Sequence, residues 1–368
     1  MGFEEPYVFD PSLEAILKEI FIIEDKYIDV NVPTFIVSPR MLLEPIDLKE
    51  GFRRVADKFK ERGYLPFLRK TRDGRLVVRV FQRRSVKRRG PLLNIALFVA
   101  TLGTIFLDGY IRCSSPILRS LMPNASVLQQ AAVFTACLMA IFLLHEMGHK
   151  VTAMRKNIDA SLPYFIPAPP GFGGTFGAVI TQREPPTNRD DLFDLGFSGP
   201  FVGFIVTVVV AALGLYMSFV VPIEFVMRWS QYVRFIPVPL LIRILADLIR
   251  PRPPGYVLLM HPVAFAAWVG ALVTFLNLLP TWQLDGGHIA RAMFGERGHK
   301  ISSIVGVLIL FLSGFVAMAL LVLIMMLISG PHGGPLDDVS PLSRSRKLVL
   351  YPLSIAALVL CAVFMFPF

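Results

Sequence analysis

The stretch LLHEMGHK, residues 143–150, closes an apolar run, SVLQQAAVFTACLMAIFLL, that is long enough to cross a bilayer. An ionisable side chain at membrane depth costs about 3 kcal/mol even on the milder insertion scale, so four of them in six residues need a reason. His145 and His149 stand one helical turn apart, so both imidazoles share a face and can reach one ion. Glu146 follows the first histidine and sits beside such an ion, where a carboxylate can take a proton from water. HExxH is the zinc metalloprotease signature. A structural pair of histidines is the competing explanation.

Composition fits this setting. Charged residues make up 17% of the chain and hydrophobic ones 54%, against about 25% charged in soluble domains. The net charge of +10 is concentrated in RVFQRRSVKRRG, Arg79 to Gly90, just before the first apolar span. That position reads as a cytoplasmic, lipid-facing anchor rather than a nucleic-acid site. Cys113, Cys137 and Cys361 form no disulfide framework and no CxxC pair. The first twenty residues lack the basic start and apolar core of a signal peptide, so the N-terminus is expected in the cytoplasm.

The fold class expected is a polytopic α-helical membrane protein with about six transmembrane helices, a short membrane-embedded β element and a small N-terminal soluble α+β domain. Residues 1–90 form the cytoplasmic domain and 91–368 the membrane domain, with its core at 127–300. The spans fall near 91–112, 127–149, 195–221, 257–280, 301–329 and 347–367. In the soluble part, Asp47 is expected to cap a helix through LKEGFRRVADKFKER, whose Leu48, Phe52, Val55, Ala56 and Phe59 recur at helical spacing. Two strands then flank Asp73-Gly74. The segment 235–254 carries Arg243, Asp247 and Arg250 on one helical face and is expected to lie in the interface. With the N-terminus inside, spans two and four end on the inner side and are followed by basic loops. The loop 222–256 and SRSRK, 343–347, then fall outside although both are basic.

A catalytic zinc takes three protein ligands and leaves one position open. Asp285, in NLLPTWQLDGGH, lies at the inner end of span four, at the depth of His145. His288, two glycines beyond, is a rival; Asp108 falls near the outer end of span one, at the wrong depth. In GFGGTFGAVITQ, Phe176, Ala178 and Ile180 alternate as in a strand whose edge could pair with an extended substrate; a simple loop plug is the alternative. His261 is as well explained by a structural hydrogen bond as by function, and Gly199-Pro200 by packing and a kink. Asp190, Asp191 and Asp194 suit the start of span three, where acids favour a helix N-terminus, and are not read as ligands.

HEMGH in a span, then PYFIPAPPGFGGTFGAVI, LFDLGFSGPFVGF and HPVAFAAWVGALVTFLNLLPTWQLDGGH, in that order, resemble the site-2 protease family of intramembrane zinc metalloproteases. GTFGA resembles the branch of plastids, cyanobacteria and archaea. The resemblance covers about residues 127–300, and Ser198 stands where the family more often has alanine. It implies one Zn²⁺ per chain, held by His145, His149 and Asp285, with Glu146 as the catalytic base. Asn277, ahead of Pro280, is implied as a catalytic amide that holds or polarises the substrate; a helix-breaking polar residue before Pro280 is the alternative. Gly174, Thr175, Phe176 and Gly177 are implied to bind substrate along the membrane-embedded sheet. The implied substrates are membrane-spanning proteins, cut near the cytoplasmic face of a cell membrane, with no role for nucleic acid. Two other classes stay open. A metal transporter would place polar sites in several spans, yet spans one, five and six have almost none. A non-catalytic scaffold would not need Glu146.

Overall fold

A computed structural model describes residues 10–40, 48–83, 90–171, 173–329 and 333–363. Asp47, the expected helix cap, and residues 84–89 of the basic run lie outside the described residues. The N-terminal part runs α1 (Pro11–Leu17), β1 (Phe21–Asp29), β2 (Val32–Pro39), α2 (Leu48–Glu61), β3 (Tyr64–Lys70) and β4 (Leu76–Gln82). Its strands pair antiparallel in the order β1-β2-β4-β3. Phe52, Val55, Ala56 and Phe59 of α2 are fully buried and pack with Leu17, Leu68 and Val78. Gly63, at φ 79°, turns the chain from α2 into β3, a backbone state that L side chains rarely adopt. The hairpin β1–β2 is not legible in the sequence, because the EDKY stretch of β1 is exposed and gives no apolar alternation.

The rest of the chain runs α3 (Leu92–Cys113), α4 (Pro116–Leu121), α5 (Val127–Arg155), β5 (Tyr164–Pro167), β6 (Thr175–Val179), α6 (Arg189–Tyr216), β7 (Phe219–Pro222), α7 (Ile223–Arg228), α8 (Leu240–Ile249), β8 (Tyr256–Leu259), α9 (Pro262–Leu278), α10 (Asp285–Leu312), α11 (Val316–Ser329) and α12 (Tyr351–Cys361). Among the described residues, α3, α5 and α6 are long and apolar enough to cross a membrane; α9 and the apolar part of α11 are shorter. The protein is thus mostly helical, with a small β-rich N-terminal region. Helices α5, α6 and α9 pack against one another around a core that includes Phe134, Leu138, Ile141, Ala211, Leu215 and Ala267. Leu92, Val99, Leu128, Leu213, Ile304 and Leu327 point outward and exposed, as lipid-facing residues must. Helix α8 buries Leu241, Ile242 and Ala246 and exposes Arg243 and Asp247, the amphipathic pattern of an interfacial helix. The antiparallel pair β7–β8 brackets it and was not foreseen.

One expectation is corrected. Residues 301–329 are not a single span. Helix α10 closes at Leu312, Gly314 takes φ 88°, Phe315 N–H donates back to Leu310 O at 2.9 Å, and α11 packs against α10. A predominantly apolar segment contains one Ser313-Gly314 turn. The chain therefore comes back to the N-terminal domain, and residues 343–347, expected on the outer face, lie on its side of the molecule. Arg346 pairs there with Asp194 at 2.7 Å and Asp190 at 3.3 Å. The basic SRSRK segment thereby lies on the same side as the N-terminal sheet, whereas the basic loop 222–256 stays apart from it.

The returning segment 336–338 is inserted between the N-terminal sheet and the entry to α6. Leu68 N–H donates to Leu336 O at 2.8 Å, while Leu336 and Asp337 N–H donate to Pro186 O and Thr187 O, each at 2.8 Å. Leu336 is fully buried in the N-terminal core. Asp338 accepts from both guanidinium nitrogens of Arg291 on α10 at 3.0 and 2.7 Å, and from Arg189 Nε at the start of α6 at 3.1 Å. Backbone and charge thus tie the N-terminal domain to α6 and α10.

Candidate metal centre

Helix α5 carries His145 and His149 on one face and Glu146 beside them, with His145 and Glu146 buried. Asp285 opens α10 and meets them from the other side. His145 Nε2 lies 3.4 Å from Asp285 Oδ2, His149 Nε2 3.3 Å from Asp285 Oδ1, and the two Nε2 atoms are 3.2 Å apart. Two nitrogens and one carboxylate oxygen are a zinc donor set. Bonds of about 2.0–2.1 Å in a tetrahedron place donors roughly 3.3 Å apart, close to the spacing of the two imidazole nitrogens and of each nitrogen from the Asp285 carboxylate, which meets the two rings with different oxygens. His149 Nδ1 donates to Leu195 O at 2.8 Å, which fixes the ring and leaves Nε2 for an ion.

Local sequence explains how Asp285 arrives. Pro280 stops α9 three residues after Asn277, and Trp282 takes φ 48° in the tight turn that follows. Gly286 and Gly287 then press against the carbonyls of Leu278 and Trp282, where any Cβ would collide. Asp285 is thus pinned against the end of α9, facing α5. Asn277 comes to the same place: its amide nitrogen lies 3.4 Å from His145 Nε2.

The imidazoles also need room, and α6 provides it. Gly196, Gly199 and Gly203 line one face of α6 toward the site. A Cβ on Gly199 would strike His149 Nε2; on Gly203 it would lie 2.8 Å from His145 Nδ1; on Gly196 it would lie 2.6 Å from Asp285 O. The G-x-x-G-x-x-x-G spacing was present in the sequence, but a glycine stripe alone names no partner. Gly199→Ala should weaken metal binding by about 10–100-fold, as loss of a ligand-orienting contact does. Zinc titration of the purified protein checks this; unchanged affinity would show that His149 has room to move.

Two cavities meet at the centre. One, of about 200 Å³, is bounded by His145, Glu146, His149, Asp285 and the backside of β6 and its continuation at Ala178, Ile180 and Gln182. The other, of about 140 Å³, lies between Glu146, Phe176, Gly177, Asn277 and Met318. Glu146 and Ala178 border both.

The sequence profile of Peptidase family M50 matches residues 133–321, just over half of the chain, and takes in all three donors. The chain belongs to this family. A probable chloroplastic zinc metalloprotease EGY2 of Oryza sativa subsp. indica is 26% identical over 326 residues, covering 86% of this chain and 58% of the relative. A probable chloroplastic zinc metalloprotease EGY1 of Arabidopsis thaliana is 29% identical over 224 residues, covering 58% of this chain and 39% of the relative. The chain thus spans little more than half the length of the rice relative. No solved structure matches it.

The other M50 expectations sort by position. Among the described residues, His145, His149 and Asp285 form the group able to hold an ion. His288 lines the cavity but stands outside that donor group. Asp108 binds Arg112 Nε and Gly171 N–H, both at 2.5 Å, and so fastens the β5–β6 loop to α3. Phe176 and Gly177 line the smaller cavity. Gly174 and Thr175 do not reach either cavity: Gly174 O accepts from Thr104 on α3 at 2.7 Å, and Thr175 Oγ1 braces the hairpin through Ile166 O at 2.9 Å. His261 caps α9, accepting from Val263 N–H at 3.2 Å. Asp190, Asp191 and Asp194 are consumed by pairs with Lys49, Arg53, Lys156 and Arg346.

Proposed function

We propose that this protein is an intramembrane zinc endopeptidase, with one Zn²⁺ held by His145, His149 and Asp285. Its substrates are membrane-spanning proteins, cut near the cytoplasmic face. The N-terminus is cytoplasmic, residues 1–90 form the cytoplasmic domain, and about six membrane helices build a multi-pass enzyme of a cell membrane. The observation that carries this reading is the three-donor cluster at tetrahedral spacing, with Glu146 buried beside it and a strand bordering the same cavity.

When bound, zinc supplies Lewis acidity: it brings the pKa of water toward about 7 and polarises a peptide carbonyl. Glu146 takes the proton from the attacking water and returns it to the leaving amine. Asn277, whose amide lies 3.4 Å from His145 Nε2, holds or polarises the substrate carbonyl beside the ion site. A peptide bond within a helix is shielded, so the substrate must unwind. Phe176, Gly177 and Ala178 of β6 offer backbone against which an extended segment can lie. Residues Gly174 and Thr175 serve that surface by holding the hairpin in place.

The test is zinc per chain in detergent-purified protein, read together with cleavage of a membrane-spanning substrate. Wild type should carry about one zinc and cleave; Asp285→Ala should lose both, because two ligands do not retain a catalytic ion. Zinc that survives in Asp285→Ala would remove Asp285 from the donor set.

A further inference from the structure

The N-terminal sheet carries a second hollow, a groove of about 580 Å³ on the face turned away from α2. Strand periodicity builds it. Leu68, Val78 and Val80 enter the core, while Leu65, Phe67, Arg69, Arg79 and Phe81 face the groove. Phe67 lies opposite Arg79, and Leu65 opposite Phe81. Phe67 and Phe81 touch edge to face, at 5.2 Å between ring centres. Arg69 and Arg83 stand at the two ends of this apolar floor. The opposite wall is Arg183 and Glu184. Four arginines line the groove; Arg83 pairs with Glu184 of the wall, and with Asp29 and Asp159 at the margin counted the net charge is +1.

The wall connects the groove to the metal centre. The chain leaving β6 borders the catalytic cavity at Ile180 and Gln182, and its next two residues, Arg183 and Glu184, border the groove. A polypeptide lying beside β6 and running on in the same direction enters the groove. Once there it meets apolar and cationic side chains interleaved along two strands. This spacing suits an extended chain, whose side chains alternate with period two. Among the described residues, Arg79 and Arg183 pair with carboxylates at the margin, Asp29 at 2.8 Å and Asp159 at 3.4 Å, partners that an incoming carboxylate would replace. Burial pushes the Arg69 guanidinium below its ordinary pKa, a cost that an incoming carboxylate would offset.

We propose that this groove binds an extended segment of the substrate in which acidic and apolar residues alternate, lying on the cytoplasmic side of the scissile bond. The proposal rests on the protease reading of the metal centre and extends it from chemistry to selection. Carboxylates of the segment pair with Arg79 and Arg183, and its apolar side chains lie on Phe67 and Phe81. A protein would thus be chosen by the sequence flanking its membrane span as well as by the span.

The experiment uses the full chain with Glu146→Gln, held in nanodiscs of uncharged phosphatidylcholine. The probe is a fluorescein-labelled peptide of alternating leucine and glutamate, followed by fluorescence anisotropy. Binding should be saturable and weakened by salt, and a leucine–glutamine peptide should not bind. Arg79→Glu and Arg183→Glu should each weaken binding by about tenfold or more, the worth of one charge-assisted contact. Zinc content equal to that of the parent certifies that each variant is folded. Equal binding of the two peptides, or full affinity in both arginine variants, overturns the proposal. So does loss of peptide binding in phosphatidylglycerol nanodiscs that the arginine variants restore, which would make the groove a lipid headgroup site. The binding readout needs no hydrolysis. If the groove fails while wild type still cleaves a membrane-spanning substrate, the protease reading stands; if the peptide binds but no substrate is ever cut, the protease reading fails alone.

Discussion

Glu146→Gln will purify with its zinc and lose hydrolysis by about 10²–10⁴-fold or more, the range carried by a positioned proton-transfer group. The side chain is buried beside the donor cluster and borders both cavities, yet it is not one of the three donors. Glutamine keeps the shape and the packing but cannot accept the proton. His149→Ala makes the contrast, because it removes a donor and should lose metal and activity together. The decisive comparison is metal content beside cleavage rate in the same preparations. A Glu146→Gln enzyme that cleaves at the parent rate would take the proton-transfer role away from this residue, and one that comes without zinc would show that Glu146 helps to hold the ion.

Asp338→Ala will destabilise the protein by about 3–5 kcal/mol, the cost of leaving a buried charge without its partner. Arg291 is 2% exposed and sits two turns beyond Asp285 on α10. Its guanidinium fork is satisfied by the two carboxylate oxygens of Asp338. Thermal unfolding in detergent should show the loss, and a second substitution, Arg291→Met, should recover much of it by removing the orphaned charge. An unchanged melting temperature in Asp338→Ala would mean that water reaches Arg291. The pair also sets an acid limit. Burial raises the Asp338 pKa, but hydrogen bonds from Arg291 and the charges of Arg291, Arg189 and Arg69 outweigh it, and the carboxyl ends below its ordinary value. The folded pKa is therefore the lower one, so the stabilisation is complete above the unfolded value of about 3.9 and is lost as pH falls through the folded value. Asp338→Asn should flatten that acid limb of the melting curve.

The sequence disclosed what short-range geometry determines. His145, Glu146 and His149 were legible because helical spacing alone places two imidazoles on one face. Depth along the chain singled out Asp285, and the structure places its carboxylate 3.4 Å from His145 and 3.3 Å from His149. Helix α2 and the β3–β4 pair were legible from apolar spacing and Asp73-Gly74. Features that depend on a distant partner were not. The glycines of α6 look like packing residues until the imidazoles they accommodate are opposite them. Residues 301–329 are predominantly apolar, and the one Ser313-Gly314 pair at the break is weak evidence against a single long helix. Asp337 and Asp338 read as an ordinary polar loop until the chain has folded back.

The inserted segment 336–338 has a consequence for how the protein is made. Ribosomes release the N-terminal sheet first, with the outer edge of β3 still open and the place of Leu336 in its core still vacant. That edge closes only after α3 to α11 have been made, and the same closing step brings Arg189 and Arg291 to Asp338. Completion of the sheet and fixation of the helix bearing Asp285 are one late event in biogenesis. A nascent chain halted before residue 336 carries both histidines and the aspartate yet lacks the clasp that joins the N-terminal sheet to α6 and α10.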